Sequence, residues 1–95
     1  MVELEPGQLV RSLAGRDKGK HYLVLGELDR KHVLLVDGRS RPVARPKKKN
    51  VAHLQHYARR VEPGELVNST QLTDNQVIRL LKELVPETEA PEEEV

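Results

Sequence analysis

The sequence contains no cysteine, no tryptophan and no phenylalanine, and it has only two tyrosines. The absence of cysteine excludes disulfide bonds and thiolate metal ligands, and it favours a reducing compartment. Aromatic residues make up only 2% of the chain. Base stacking on aromatic side chains, which many single-strand-binding proteins use, is therefore nearly excluded. The hydrophobic core must be built from leucine and valine.

Long apolar segments are also missing. No run approaches the roughly 18 apolar residues of a membrane-spanning helix. The first residues include Glu3 and Glu5, which is not the pattern of a signal peptide. We therefore expect a cytoplasmic protein that does not contact membranes. A length of 95 residues favours one small domain with short extensions.

Charge is distributed very unevenly along the chain. Residues 11–60 hold fourteen lysines and arginines against four acids, whereas residues 61–95 hold nine acids against two bases. The formal net charge of +1 conceals this asymmetry. It indicates a basic binding region followed by an acidic tail.

Short apolar segments separated by turn residues predict strands at residues 8–14, 21–28, 32–36, 41–44 and 51–54. Asp37 and Gly38 form a hairpin signal, and residues 47–50 are predicted to be a basic turn. Pro42 and Pro46 limit the fourth strand to an edge, because proline cannot donate to a ladder. These features predict a mostly β protein whose five strands form a small barrel or a rolled sheet.

A helix is predicted near the C-terminus. Thr73 and Gln76 have the spacing of a capping box, and Pro86 ends the segment. Apolar residues follow at helical spacing, namely Val77, Leu80, Leu81 and Leu84. We expect this helix either to cover the outer face of the second and third strands or to dock on a protein partner. The expected organisation is a barrel at residues 1–57, a linker at 58–72, a helix at 73–85 and a disordered acidic tail at 86–95.

The segment that organises the chain is the glycine loop, residues 15–20, which reads Gly-Arg-Asp-Lys-Gly-Lys. Glycine permits tight turns and close approach to a partner. The loop holds Arg16, Lys18 and Lys20 between two strands, where cations can meet an anionic surface. Asp17 would repel phosphate, so we expect it to cap loop amides or to pair with a neighbouring base.

A second basic cluster follows. Six bases and no acid lie within eleven residues, namely Arg39, Arg41, Arg45, Lys47, Lys48 and Lys49. Such charges can protect an exposed strand edge. Their number exceeds that need, and it favours binding to a polyanion with strong salt dependence.

These segments resemble a KOW motif. The resemblance rests on Gly-Gln-Leu-Val at residues 7–10, the glycine loop, and Val-Leu at 24–25. Val-Leu-Leu-Val-Asp-Gly at 33–38 and Arg-Pro-Lys-Lys-Lys-Asn-Val-Ala-His-Leu at 45–54 are similar to bacterial KOW-domain RNA-binding proteins related to an archaeal and eukaryotic large-subunit ribosomal protein family. The general motif has glycine where this chain has Tyr22, and this departure favours the bacterial subgroup. The resemblance implies an SH3-like barrel that binds RNA, in particular ribosomal RNA, without catalysis.

Catalytic and metal sites are not indicated. No nucleophile elbow, HExxH or P-loop occurs. His53 and His56 lack a third ligand, so we expect no metal and no cofactor. The expected RNA-contacting residues are Arg16, Lys18, Gly19, Lys20, Arg39, Arg41, Arg45, Lys47, Lys48, Lys49 and His53.

Two other functions remain open. SH3-like barrels also bind proteins, so the chain can be a protein-interaction adaptor that docks through residues 74–85. A transcription-elongation type of KOW module is the other alternative. The acidic tail either aids solubility or competes with RNA for the basic region.

Overall fold

Five strands and one helix are present in the computed structural model, which describes residues 4–60 and 73–86. The elements are β1 (Gln8–Ser12), β2 (His21–Glu27), β3 (His32–Val36), β4 (Lys47–Asn50), a 3-10 turn (Val51–His53), β5 (Leu54–Arg60) and α1 (Asp74–Leu84). The strands form one antiparallel sheet in the order β4-β3-β2-β1-β5. The sheet curls into a half-barrel, which confirms the predicted mostly β fold with one C-terminal helix.

Two irregularities help to curl the sheet. The pairing of β2 with β3 shifts register between Val24 and Gly26, and the pairing of β1 with β5 shifts between Gln8 and Val10. Such bulges bend a strand and increase its twist. The 3-10 turn connects the two edge strands. The Val51 amide donates to Lys31 O at 2.9 Å, beside the β2–β3 turn, and His53 O accepts from the Leu13 amide at 2.8 Å, beside the end of β1.

The concave face of the sheet encloses the inner core. Its buried residues are Leu4, Val10, Tyr22, Val24, Val33, Leu35 and Leu54, and Val51 packs against them. Alternate residues of a strand point to opposite faces, so the neighbours of these residues face outwards. Because the central strands are apolar on both faces, the outer face also needs a cover.

Helix α1 supplies that cover. Val77 and Leu80 are buried against Leu23 and Val36, which are paired residues of β2 and β3. Thr73 and Gln76 form the predicted capping box. The helix therefore packs on the outer face of the second and third strands, as one of the two hypotheses predicted.

The predicted positions of the last two strands are wrong. Residues 41–44 lie in the connection between β3 and β4, because Pro42 has no amide hydrogen for a ladder and the Val43 amide bonds to Asp74 of the helix. The predicted basic turn at 47–50 is instead β4, which pairs with β3. Residues 51–53 form the 3-10 turn, and β5 begins at Leu54 and continues to Arg60.

Some predictions fall on parts of the chain that the structure does not describe. Most of the expected linker, residues 61–72, and nearly all of the expected acidic tail, residues 87–95, lie outside the described residues. Among the helices of the described residues, none has the length and apolar character needed to cross a bilayer.

Candidate nucleic-acid interface

The strand register gathers the basic segments at one end of the sheet. The end of β1 pairs with the start of β2, and the end of β3 pairs with the start of β4. The glycine loop and the β3–β4 connection, residues 37–46, therefore emerge at the same end, which we call the loop end. His53 precedes the start of β5, where Leu54 pairs with Ser12. Nine of the eleven residues expected to contact RNA thus lie at or beside the loop end, whereas Lys48 and Lys49 lie further along β4, where they pair with Leu34 and Val33.

The glycine loop is a tight, hydrogen-bonded turn. Gly15 and Gly19 have φ angles of 87° and 92°, a conformation that residues with a Cβ rarely adopt. The Lys20 amide donates to Asp17 O at 2.9 Å, and the Gly19 amide donates to Ser12 O at 2.8 Å. The two glycines therefore allow the chain to turn sharply, and the side chains of Arg16 and Lys18 between them are exposed to solvent.

Asp17 is the exception, because its side chain points inwards and is buried. Its carboxylate accepts hydrogen bonds from Ser12 Oγ at 2.7 Å, from Tyr22 OH at 3.0 Å and from Lys49 Nζ at 3.1 Å. Lys47 Nζ lies 3.3 Å from Asp17 Oδ2. Of the two roles expected for Asp17, the structure shows pairing with nearby basic side chains, those of Lys47 and Lys49. We call Asp17 and these four partners the Asp17 cluster.

The cluster keeps the carboxylate ionised despite its burial. Burial alone would raise the pKa of Asp17, but the hydrogen bonds from Ser12, Lys49 and Tyr22 and the charge of Lys47 outweigh it and hold the pKa well below the usual aspartate range. Burial and the Asp17 carboxylate both raise the pKa of Tyr22. The phenol therefore stays protonated and remains a donor at neutral pH.

The three consecutive lysines of β4 face in two directions. Lys47 and Lys49 pair with Leu35 and Val33, so they share the inner face of the sheet and reach Asp17. Lys49 Nζ also donates to Ala14 O at 2.9 Å, which fixes the start of the glycine loop to β4. Lys48 pairs with Leu34, and its side chain is exposed.

The β3–β4 connection contains a second ordered basic region, which we call the arginine segment, residues 37–45. Asp37 Oδ1 accepts from the amides of Arg39 and Arg41, each at 2.8 Å. The side chains of Arg39, Arg41 and Arg45 are exposed. The charge of Asp37 raises the pKa of Tyr22, and the charge of Arg41 lowers it.

Seven of the predicted cations are exposed to solvent, six of them on the two loops of the loop end and Lys48 further along β4, and two point inwards. The exposed side chains are those of Arg16, Lys18, Lys20, Arg39, Arg41, Arg45 and Lys48, and His53 is exposed beside them. Gly19 serves the turn itself. The inward pair, Lys47 and Lys49, leaves the Asp17 cluster with two cations against one carboxylate.

Sequence reasoning missed Ser12 and Tyr22 as members of this site. Ser12 lies on the same face of β1 as the buried Val10. A hydroxyl group buried at that position needs a hydrogen-bond partner inside the protein. Tyr22 is the residue that departs from the KOW pattern, and its hydroxyl supplies one of the bonds to Asp17. Both were visible in the sequence as a polar group at an inward strand position.

Metal chemistry has no support within residues 4–60 and 73–86, where no group of three or more histidine, aspartate or glutamate side chains is placed to hold an ion. No protein-family model matches this chain, and no curated protein matches it.

Proposed function

We propose that this chain is a non-catalytic RNA-binding protein that docks on structured RNA, in particular ribosomal RNA, through the loop end. The observation that carries the proposal is the set of six exposed cations on the two loops at one end of the sheet, with the intervening carboxylate of Asp17 buried and paired. Phosphate groups gain from meeting several fixed cations because condensed counterions are released. The resemblance to KOW-domain proteins supports ribosomal RNA as the target.

The arrangement favours recognition of backbone shape over base sequence. Exposed lysines and arginines on ordered loops can contact phosphates, and arginines can do so with two parallel hydrogen bonds. Contacts to phosphate and sugar position a protein without reading bases. In double-stranded RNA the deep, narrow groove prevents base reading by side chains, so shape and backbone contacts dominate.

The adaptor hypothesis has less support, because the apolar stripe that it needs is already covered. Val77 and Leu80 are buried against the sheet, and Leu81 and Leu84 pack at the edge of the same cluster. A partner that used this stripe would have to displace the helix from β2 and β3.

Two charge-matched variants test the proposal. Lys18→Gln with Lys20→Gln removes two exposed cations at the loop end, whereas Arg30→Gln with Lys31→Gln removes two exposed cations from the β2–β3 turn at the opposite end. Binding to RNA hairpins of unrelated sequence is measured across a range of salt concentrations. We expect the first pair to weaken binding to all hairpins and to reduce the salt slope by roughly 1 for each phosphate that the protein no longer neutralises.

The second pair is the control, and it should bind like the wild type. Equally weakened binding in the two variants would show that only net charge matters and would refute a site at the loop end. Reversal of Lys47 and Lys49 is a poorer test, because new carboxylates beside Asp17 would break the fold as well as the site.

A further inference from the structure

The first turn of α1 contacts the arginine segment at two points. Asp74 Oδ1 accepts a hydrogen bond from the Val43 amide at 2.7 Å. Gly38 lies directly against the helix, since a Cβ built there would be 2.5 Å from Asp74 O and 2.9 Å from Ile78 Cγ1. The helix thus holds both halves of the segment that carries the exposed arginines.

The Val43 side chain also packs against the apolar cluster under the helix, and the other hydrogen bonds described for the arginine segment are local. Asp37 holds the amides of Arg39 and Arg41, and the Arg45 amide donates to Pro42 O at 2.9 Å. These bonds close two small turns but do not fix one turn relative to the other. The Asp74–Val43 bond lies within the second turn and joins that turn to the packed helix.

We propose that α1 is a working part of the RNA-binding site, in which Asp74 acts as a positioning residue that holds Arg41 and Arg45 in a binding-competent arrangement. This inference rests on the proposed function. A flexible segment must give up backbone freedom when it binds, and each residue that becomes fixed costs about 1–2 kcal/mol. A segment that is already fixed by the helix avoids this cost and binds more tightly.

Charge alone predicts the opposite effect of removing Asp74. Its carboxylate lies against the segment that carries three exposed arginines, and removing a negative charge there favours binding to a polyanion. If Asp74 positions the segment, its removal instead weakens binding. The direction of the change therefore separates positioning from electrostatics.

The test compares Asp74→Ala with Asp74→Asn in the full chain. The alanine variant has no acceptor for Val43, whereas asparagine keeps a side-chain oxygen and removes only the charge. Thr73→Ala is the matched control, because it removes the helix N-cap next door and leaves the Asp74–Val43 bond in place. Hydrogen exchange of the Val43 amide and affinity for an RNA hairpin are measured for each variant below its melting temperature.

We expect Asp74→Ala to lose protection of the Val43 amide and to bind RNA roughly tenfold more weakly, which corresponds to about one charged hydrogen bond. Asp74→Asn should retain protection of the Val43 amide and bind RNA at least as tightly as the wild type, and Thr73→Ala should retain both properties. Wild-type binding by Asp74→Ala, or tighter binding, overturns this inference and leaves the proposed function intact. Failure of the wild type to bind any structured RNA instead refutes the proposed function itself, and Val43 protection still reports whether Asp74 orders the segment.

Discussion

At the scale of single residues, Asp17 explains how an acid fits within a basic site. An exposed carboxylate between Arg16 and Lys18 would repel phosphate. The structure turns it inwards, where it meets Lys47 and Lys49 and joins the glycine loop to β4. Two lysines from the most basic run of the sequence are therefore partly structural, and the site depends on one buried anion.

Replacing Asp17 with asparagine should destabilise the fold by ~3 kcal/mol, because it leaves two partly buried ammonium groups without their anion. A domain of this size would then melt roughly 10–20 °C lower. Circular dichroism melting at neutral pH measures the change. Asp29→Asn is the control, since Asp29 is an exposed acid whose pKa is also lowered, by the Lys31 amide and His32.

The melting temperatures of the wild type and the Asp17→Asn variant should converge in acid. The pKa of Asp17 is lowered by folding, so its stabilisation is complete above the ordinary aspartate pKa of about 3.9 and is lost as the pH falls below it towards the lowered pKa. The difference in melting temperature between the wild type and Asp17→Asn should therefore narrow between about pH 5 and pH 2. A difference in melting temperature that stays constant over that pH range would contradict the role assigned to the Asp17 cluster.

At the scale of elements, sequence reasoning succeeded where apolar periodicity was strong. The third strand was predicted with its observed bounds, and the first two were predicted one or two residues too long. The capping box and apolar stripe located α1 within a residue. These elements carry their own signals because their side chains both form and cover the core.

The last two strands could not be predicted in the same way. Lysine and asparagine are uncommon in strands, so the sequence at 47–50 favours a turn. What makes it a strand is non-local: the ladder to β3 and the reach of two lysines to Asp17, thirty or more residues away. The Asp17 cluster could be predicted only in part for the same reason, because its members come from β1, the glycine loop, β2 and β4.

The contact between α1 and the arginine segment gives a prediction at this scale. Gly38→Ala should cost at least about 2 kcal/mol, because φ is 78° at this position and the new methyl group would meet the backbone of Asp74. Gly26→Ala is the matched control. No atom lies within 4 Å of a Cβ at Gly26, so that variant should be as stable as the wild type or slightly more stable. Urea denaturation compares the two, and equal midpoints would show that the helix does not press on Gly38.

At the scale of the whole molecule, the charge asymmetry of the sequence has a partial structural counterpart. The basic half of the chain forms the half-barrel, and two of its loops present six exposed cations at the loop end, whereas the β2–β3 turn at the other end presents two. Helix α1, from the acidic half, packs on the opposite side of β2 and β3 from the inner core. Under the proposed function, the protein would approach RNA with its loop end.

This arrangement predicts how the protein behaves in a cell extract. On a sucrose gradient of lysate it should sediment with ribosomal particles, and it should shift to the top of the gradient after ribonuclease treatment. The Lys18→Gln, Lys20→Gln variant should remain near the top with or without ribonuclease. Sedimentation that survives complete RNA digestion would instead favour the protein-interaction adaptor.

The contact between Tyr22 and Asp17 has a practical consequence for following the glycine loop. The chain has no tryptophan, so its near-ultraviolet absorbance comes from two tyrosines. Because the Tyr22 phenol is buried against a carboxylate, it ionises at a more alkaline pH than a tyrosine in water. The ultraviolet absorbance of tyrosine, followed during a titration with base, thus reports whether the Tyr22–Asp17 contact is intact, and it needs no added label.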